Sequence, residues 1–522
     1  MIGVQIQFMI CYRLIWEEPD CPMRSTSSRL MLALAALTIF TLTLVAYHSL
    51  PTRGFAADDF QWLVGARSQS FTRMLRSAFD PGQNHFYRPL VWLSFWLQQH
   101  LFGLDPRGFH GVSLGLHVAN ALLAGWLVWK LLVPLPAFRA LPALLAAAIV
   151  ALHPAAYEAV TWVSAQSDLL AAFWLLLLLH LWLAAATDHR RPMTDDRILQ
   201  HRSPSFVFRL SSLLALAFAL LTKESTIIGL PLLILLDLWA TCSNPRITHH
   251  ASRITHHASR ISAYILPTLL TIVYLAVQLR VERANYLVDQ GGYGLGPQLV
   301  LNPLRSLALL VAPLPGSENA TAAWLVPFGA AVAALLLLGA CVLVRRAPLV
   351  VRMLPLAALA FTLLPTAPFR SPPDSRYLYL PVIGFACVCA LALYGVRVQG
   401  SGFRVQGSVA SRRLSIILIV VLALAACAET SAREARFAVA AGADGSLWRL
   451  ATTICVERRP DRMIVLNTPT AEIHARAAIQ LACGKQVTPI FAATLAIAQA
   501  NLEPNSVIID FPGGAAHIAQ RT

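Results

Sequence analysis

Two adjacent carboxylates, Asp58 and Asp59, follow closely on the first long apolar run of the chain, Leu30 to Leu50. That run carries no Asp, Glu, Lys or Arg, and at about 1.5 Å per residue it is long enough to cross a bilayer. A carboxylate just past a first spanning helix stands at the membrane–water boundary. There it can accept a proton from a hydroxyl nucleophile or ligate a cation. Other reactive side chains recur at the ends of apolar runs: His85, Tyr87 and Arg88; Glu158 and Asp168; Lys223 and Glu224; Asp374 and Arg376. A hydroxyl is a poor nucleophile at neutral pH, so Asp58, Asp59 and Glu158 are the candidate catalytic groups. Lys223, Arg376 and Arg88 are the candidate stabilisers of an anionic leaving group. Asp58, Asp59, His85 and Glu158 form the candidate ligand set if a divalent cation takes part. Each has a plainer reading: the acidic pair as an N-cap for a helix through Trp62, Lys223-Glu224 as a helix end, His153-Pro154 as a terminator, Tyr377 and Tyr379 as interfacial aromatics.

The elements that must position these residues are helices. Of 522 residues, 57% are hydrophobic and only 13% charged, about half the charged share of a soluble domain. The composition predicts an all-α polytopic membrane protein of about eleven spans, near 30–50, 108–132, 136–152, 167–186, 206–221, 225–241, 262–279, 322–344, 348–366, 376–396 and 414–429. The net charge of +15 does not mark a nucleic-acid binder, because the basic stretches lack interleaved aromatic residues. The Arg residues sit instead in loops between apolar runs, five of them (Arg190, Arg191, Arg197, Arg202, Arg209) in 187–209. The loops 1–29, 130–140, 187–209, 242–261, 345–352 and 397–413 are therefore cytoplasmic by the positive-inside rule. That assignment makes 88–104 and 299–315 interfacial or re-entrant helices and puts the C-terminus on the far side. It also brings every candidate side chain above to the non-cytoplasmic face, where an interfacial active site would lie. Asp237 falls inside a predicted span and needs a polar partner there.

Three domains are expected: a cytoplasmic segment 1–29, a transmembrane domain 30–429 whose first outer loop is 51–107, and a small extramembrane domain 430–522. In the outer loop, Phe71, Met74, Leu75, Ala78 and Phe79 recur at helical spacing with Arg67, Arg73 and Arg76 among them, which predicts an amphipathic surface helix. In the tail, 462–466 and 506–511 read as strands, and 471–481 and 491–500 as helices, giving an α/β domain. Cys455 and Cys483 both lie in it, in a compartment where they could pair. Two tandem repeats, Arg246-Ile-Thr-His-His-Ala-Ser and Arg397-Val-Gln-Gly-Ser, are inserted in predicted cytoplasmic loops. The paired histidines His249, His250, His256 and His257 have no accompanying carboxylate or cysteine, so they are not read as a metal site.

Five blocks occur in order: Phe55-Ala-Ala-Asp-Asp-Phe60, His85-Phe-Tyr-Arg-Pro-Leu90, His153 to Trp162 continuing to Ser167-Asp168, Leu221-Thr-Lys-Glu-Ser225, and Asp374-Ser-Arg-Tyr-Leu-Tyr-Leu-Pro381. Together they resemble GT-C-type polytopic glycosyltransferases, in particular the polyprenyl- or dolichyl-phosphate-sugar-dependent O-mannosyltransferases that in eukaryotes carry tetratricopeptide repeats. The resemblance covers roughly 30–396. It implies a bundle of about a dozen helices with a catalytic first outer loop. It implies a lipid-phosphate-linked sugar donor and transfer with inversion to a hydroxyl of a protein, lipid or glycan on the non-cytoplasmic side. It also implies that the acidic pair holds the catalytic acid residue. The chain departs from the family in having no tetratricopeptide period in its tail and Gln166 where a basic residue is expected before Asp168. A secondary transporter and a non-catalytic membrane scaffold are the competing classes. The first would show a two-fold internal repeat and ionisable residues in mid-span, and the second would not need charges gathered at one face.

Overall fold

The computed structural model describes residues 26–67, 69–82, 86–132, 139–188, 204–242, 253–282, 292–315, 321–342, 349–400, 409–484 and 486–521. His85, the first copy of the histidine repeat and residues 1–25 lie outside them. Each of the eleven apolar runs is a helix: Thr26–Ala46, Pro106–Leu131, Ala140–Leu152, Gln166–Asp188, Pro204–Leu220, Gly229–Cys242, Arg253–Glu282, Leu325–Val342, Leu349–Leu363, Tyr379–Gly400 and Val409–Ala440. Among the described residues, five segments are long and apolar enough to cross a membrane unaided. Six qualify if Ala140–Leu152 and Pro154–Thr161, bent by 47° at His153, count as one span. The expected eleven spans are thus eleven helices, but several are short: Val207–Leu220 reaches only about 21 Å. The chain is an integral membrane protein by these helices.

Small residues set the closest helix approaches. A Cβ on Gly329 would stand 2.0 Å from the Leu304 carbonyl oxygen, so Leu325–Val342 lies directly against Gln298–Val311. A Cβ on Gly125 would stand 2.8 Å from the Ala143 carbonyl, which seats Pro106–Leu131 on Ala140–Leu152. Several polar side chains inside the bundle find partners on neighbouring helices. Asp237 accepts from Trp182 Nε1 at 3.1 Å and from the Tyr264 hydroxyl, the polar partners its place in a span required. Tyr379 is fully buried, its hydroxyl 2.9 Å from His117 Nδ1, so it is a core residue rather than an interfacial aromatic. His153 ends its helix as read, capping Ala155 N through Nδ1 while Nε2 meets the Leu310 carbonyl.

The first outer loop folds into three helices, Asp59–Arg67, Phe71–Phe79 and Pro89–Phe102. The middle one is the expected amphipathic helix, with Met74 and Ala78 buried and Phe71 and Phe79 exposed. The tail is an α/β domain whose sheet runs β2-β1-β3-β4: β1 Arg462–Leu466, β2 Thr488–Ala492, β3 Ser506–Asp510 and β4 His517–Arg521. β1 pairs in parallel with β2 and β3, and β4 closes the edge antiparallel to β3. Phe491, read as the start of a helix, is in β2; the helix begins later at Leu495, where the Thr494 hydroxyl caps Ile497 N. Cys455 and Cys483 form a disulfide between the ends of Gly442–Glu457 and Glu472–Cys483.

The boundary expected at 430 falls inside a helix, because Val409–Ala440 continues well past its apolar part. The outer loop and the tail also share one hydrophobic core. Phe55, Phe60, Leu63, Val91, Phe95 and Phe109 pack with Leu447, Ile454, Met463, Ala478 and Val507 in a single buried cluster. Trp448 meets Phe55 edge-on at 5.7 Å between ring centroids.

Candidate active site

The acidic pair lies where the loop after the first helix turns into Asp59–Arg67. Its two carboxylates are in different worlds. Asp59 is 1% exposed and acts as a tether: Oδ2 accepts from Ala56 N at 2.8 Å, and Oδ1 accepts from both the amide and the hydroxyl of Ser164. Burial pushes this carboxyl up to about 7 against the pull of those hydrogen bonds. The Asp58 side chain keeps 45% of its exposure and meets His474 Nε2 at 2.8 Å. The hydrogen bond to Asp58 raises the His474 imidazole above its ordinary range, with burial opposing it.

Neighbouring residues fix the loop. Trp162 Nε1 donates to the Ala56 carbonyl at 3.2 Å, and Asp444 Oδ2 accepts from Ala57 N at 2.8 Å. Ala57 itself sits at φ 48°, a left-handed conformation that costs a non-glycine residue roughly 1 kcal/mol or more and persists only where its surroundings over-determine it. The N-cap reading of the acidic pair is thus partly met: the Asp58 carbonyl accepts the first helical amides of Gln61 and Trp62, while its carboxylate points elsewhere.

The cationic candidates gather beside this loop, each against a carboxylate. Arg88 grips Glu224 with Nε at 3.0 Å and Nη2 at 2.6 Å. Lys223 Nζ reaches both oxygens of Asp168, at 2.7 and 2.6 Å. Arg376 donates its backbone N–H to Glu158 at 2.9 Å, pairs its guanidinium with Glu158 at 3.2 Å and with Asp374 at 2.9 Å. Aromatic faces join the second and third pairs. Tyr377 lies 4.9 Å from Lys223 Nζ and 4.8 Å from the Arg376 guanidinium, which also covers Trp162 at 4.5 Å. Burial opposes the charges of Arg88 and Glu224, yet each holds the other ionised: Arg88, then Lys223, keep Glu224 down at about 2, and Glu224, Tyr377 and Asp168 raise Arg88. Trp162 therefore connects the acidic loop to the cations, touching Ala56 on one side and Arg376 on the other.

Of the sequence candidates, Asp58, Asp59, Arg88, Glu158, Asp168, Lys223, Glu224, Asp374 and Arg376 come to one end of the bundle. Tyr87 packs on the bundle core with its ring 6.4 Å from Tyr274. Of the expected metal set, His85 lies outside the described residues. Among the described residues no three His, Cys, Asp or Glu side chains converge as ligands. Asp58 faces His474, Asp59 faces Ser164 and Glu158 faces Arg376. Sequence reasoning missed His474 and Asp444. They lie about four hundred residues beyond the acidic loop, with no motif around them, and nothing in their local spacing could have flagged them.

No protein-family model matches the chain. Over 208 residues it is 34% identical to the protein O-mannosyl-transferase Tmtc1 of Drosophila melanogaster, a stretch covering 38% of this chain and 22% of that protein's length. Its fold is similar to that of the archaeal oligosaccharyltransferase AglB from Archaeoglobus fulgidus, solved in complex with an inhibitory peptide and a dolichol-phosphate. That match has a TM-score of 0.52 and 12% identity over 89% of this chain and 65% of that one. It is also similar to ArnT from Cupriavidus metallidurans bound to undecaprenyl phosphate, with a TM-score of 0.50 and 13% identity over 94% of both chains. The chain therefore has a GT-C-like polytopic fold with a small sheet-bearing C-terminal domain.

Proposed function

We propose that this chain is a membrane glycosyltransferase that moves a sugar, mannose by its resemblance, from a polyprenyl-phosphate-linked donor to a hydroxyl acceptor on the non-cytoplasmic face. One observation carries the reading: a solvent-accessible carboxylate, Asp58, is held on a pinned loop that Trp162 links to Arg376, and Tyr377 links Arg376 to Lys223, inside a GT-C-like fold. The two similar structures hold lipid phosphates, and the stretch like Tmtc1 supports an O-linked transfer.

The chemistry is a single displacement. Asp58 accepts the proton of the acceptor hydroxyl as its oxygen forms a bond to the anomeric carbon. The bond from that carbon to the phosphate oxygen breaks, its electron pair leaves with the lipid phosphate, and the configuration inverts. Asp59 is the positioning member of the pair, because both its oxygens are committed to the backbone and Ser164. Arg376 is the leading phosphate stabiliser. Its side chain is 22% exposed, against 13% for Arg88 and 3% for Lys223. Glu158 orients Arg376, while Lys223 and Arg88 contribute through the field at the base of the site. The donor, the acceptor and membrane lipids are the partners, and the polar end of the bundle faces away from the cytoplasm.

The test is sugar transfer from a polyprenyl-phosphate-mannose donor in membranes carrying Asp58→Asn, Asp59→Asn or both. Asp58→Asn is expected to lower the rate by about 10²–10⁴-fold. Full activity in the double variant overturns the assignment, and solute accumulation in proteoliposomes without transfer would make the chain a transporter.

A further inference from the structure

The C-terminal domain reaches the acidic loop at two successive residues. Asp444, in the first turn of Gly442–Glu457, accepts from the backbone of Ala57, the residue held at positive φ. His474, in the first turn of Glu472–Cys483, holds Oδ1 of Asp58 through Nε2. The bundle holds the residues on either side, Ala56 through Trp162 and Asp59 through Ser164. The loop is therefore set by four anchors, and the two that bear on the orientation of Asp58 come from the tail. The helices that deliver them are joined by the Cys455–Cys483 disulfide at their far ends.

We infer that His474 is a positioning residue for the Asp58 carboxylate, so that the C-terminal domain is a working part of the transfer site rather than an appendage. This rests on the reading of Asp58 as the base. A carboxylate on an exposed loop samples several rotamers, and only some aim an oxygen at the acceptor. Fixing Oδ1 on His474 commits the rotamer and leaves Oδ2 to take the proton. The groups that bear on His474 are all acidic: Asp58 directly, then Asp444 and Asp59 through their fields. Asp444 Oδ1 is buried without a hydrogen-bond partner among the described residues, which leaves its charge available to that field.

The experiment compares His474→Ala, His474→Gln and Asp58→Asn in the full chain, in membranes, with a polyprenyl-phosphate-mannose donor. Thiol alkylation with and without reductant checks in each preparation that the tail has formed its disulfide. His474→Ala is expected to lower kcat by on the order of 10²-fold with the donor KM unchanged. His474→Gln places an amide N–H where Nε2 stood and should recover most of kcat. A merely structural histidine would not be rescued by glutamine or leave the donor KM unchanged. Wild-type kcat in His474→Ala, in a system where Asp58→Asn is inactive, overturns the role of His474 and leaves the base intact. Equal loss in both His474 variants also overturns it. Full activity in Asp58→Asn instead defeats the reading of the base itself.

Discussion

The buried Lys223–Asp168 pair allows the sharpest energetic prediction. Both side chains are almost completely removed from solvent, at 3% and 5% exposure, and the ammonium contacts both carboxylate oxygens. Desolvating two ions in this way is offset only while each has the other. Removing one leaves an uncompensated buried charge, at a cost of about 3–5 kcal/mol. Each orphaned charge keeps some compensation. In Asp168→Leu the ammonium keeps the Tyr377 face at 4.9 Å, a contact of about 0.5–2 kcal/mol. In Lys223→Met the carboxylate keeps the field of Arg88 and its place in the first turn of Gln166–Asp188. The double variant replaces the pair by apolar side chains of similar volume and should lie near wild type, a coupling close to the sum of the two single costs, about 6–10 kcal/mol. Unfolding by SDS titration in mixed micelles measures all four proteins. Single variants costing under about 1 kcal/mol, or a double variant equal to the sum of the singles, would refute the claim that the pair is one buried unit. Transfer assays on the same double variant then isolate what the Lys223 charge contributes to turnover once stability is restored.

Three further outcomes follow from other contacts. His474 and Asp59 both bind their protons more tightly in the folded chain than in the unfolded one. Their stabilising contributions are therefore complete below the unfolded values (about 6.5 and about 4) and fade as pH rises, that of Asp59 through about 7. Hydrogen exchange at the amides of Asp59–Arg67 and Glu472–Cys483, corrected for intrinsic rates, should be faster at pH 8.5 than at pH 5.5. Equal protection would refute the linkage. The Cys455–Cys483 bond closes a 28-residue separation, so reduction should destabilise the tail by about 3–4 kcal/mol. Alkylation should find both thiols blocked without reductant, and two free thiols in the oxidised protein would refute the bond. Gly329→Ala must push Leu325–Val342 off the Leu304 carbonyl and should cost about 1–3 kcal/mol, read in the same SDS titration. An unchanged midpoint would show that the helices can part freely there.

The bundle was legible because apolar runs report their own burial, residue by residue. The cations and acids at the helix ends were legible as well, since a charge beside an apolar run has few places to go. What each of them touches was not. Lys223 reads as a free ammonium until Asp168 arrives from another helix, and Asp58 reads like Asp59 until Ser164 and Trp162 bury one and spare the other. Such pairings join residues 55 to 106 positions apart, which no local pattern encodes. In the tail, β1 and β3 announce themselves through runs of Ile and Val. β2 contains Pro489 and leads into an alanine-rich stretch, and β4 alternates with polar residues at a sheet edge, so neither carries a strong strand signal.

The core shared by residues 55–109 and 443–511 has a consequence for when the protein becomes competent. A chain made from its N-terminus completes Asp58 early and Phe511 some 450 residues later, about 20–90 s at ordinary synthesis rates. During that interval Phe55, Phe60 and Phe95 lack much of their packing, and the loop around Asp58 lacks two of its four anchors. The membrane helices can insert and pack meanwhile, since their core is a separate cluster. Residues 443–511, made well after the first outer loop, thus complete its anchoring, so a chain interrupted before residue 443 would occupy the membrane, keep its bundle, and leave the loop around Asp58 without two of its four anchors.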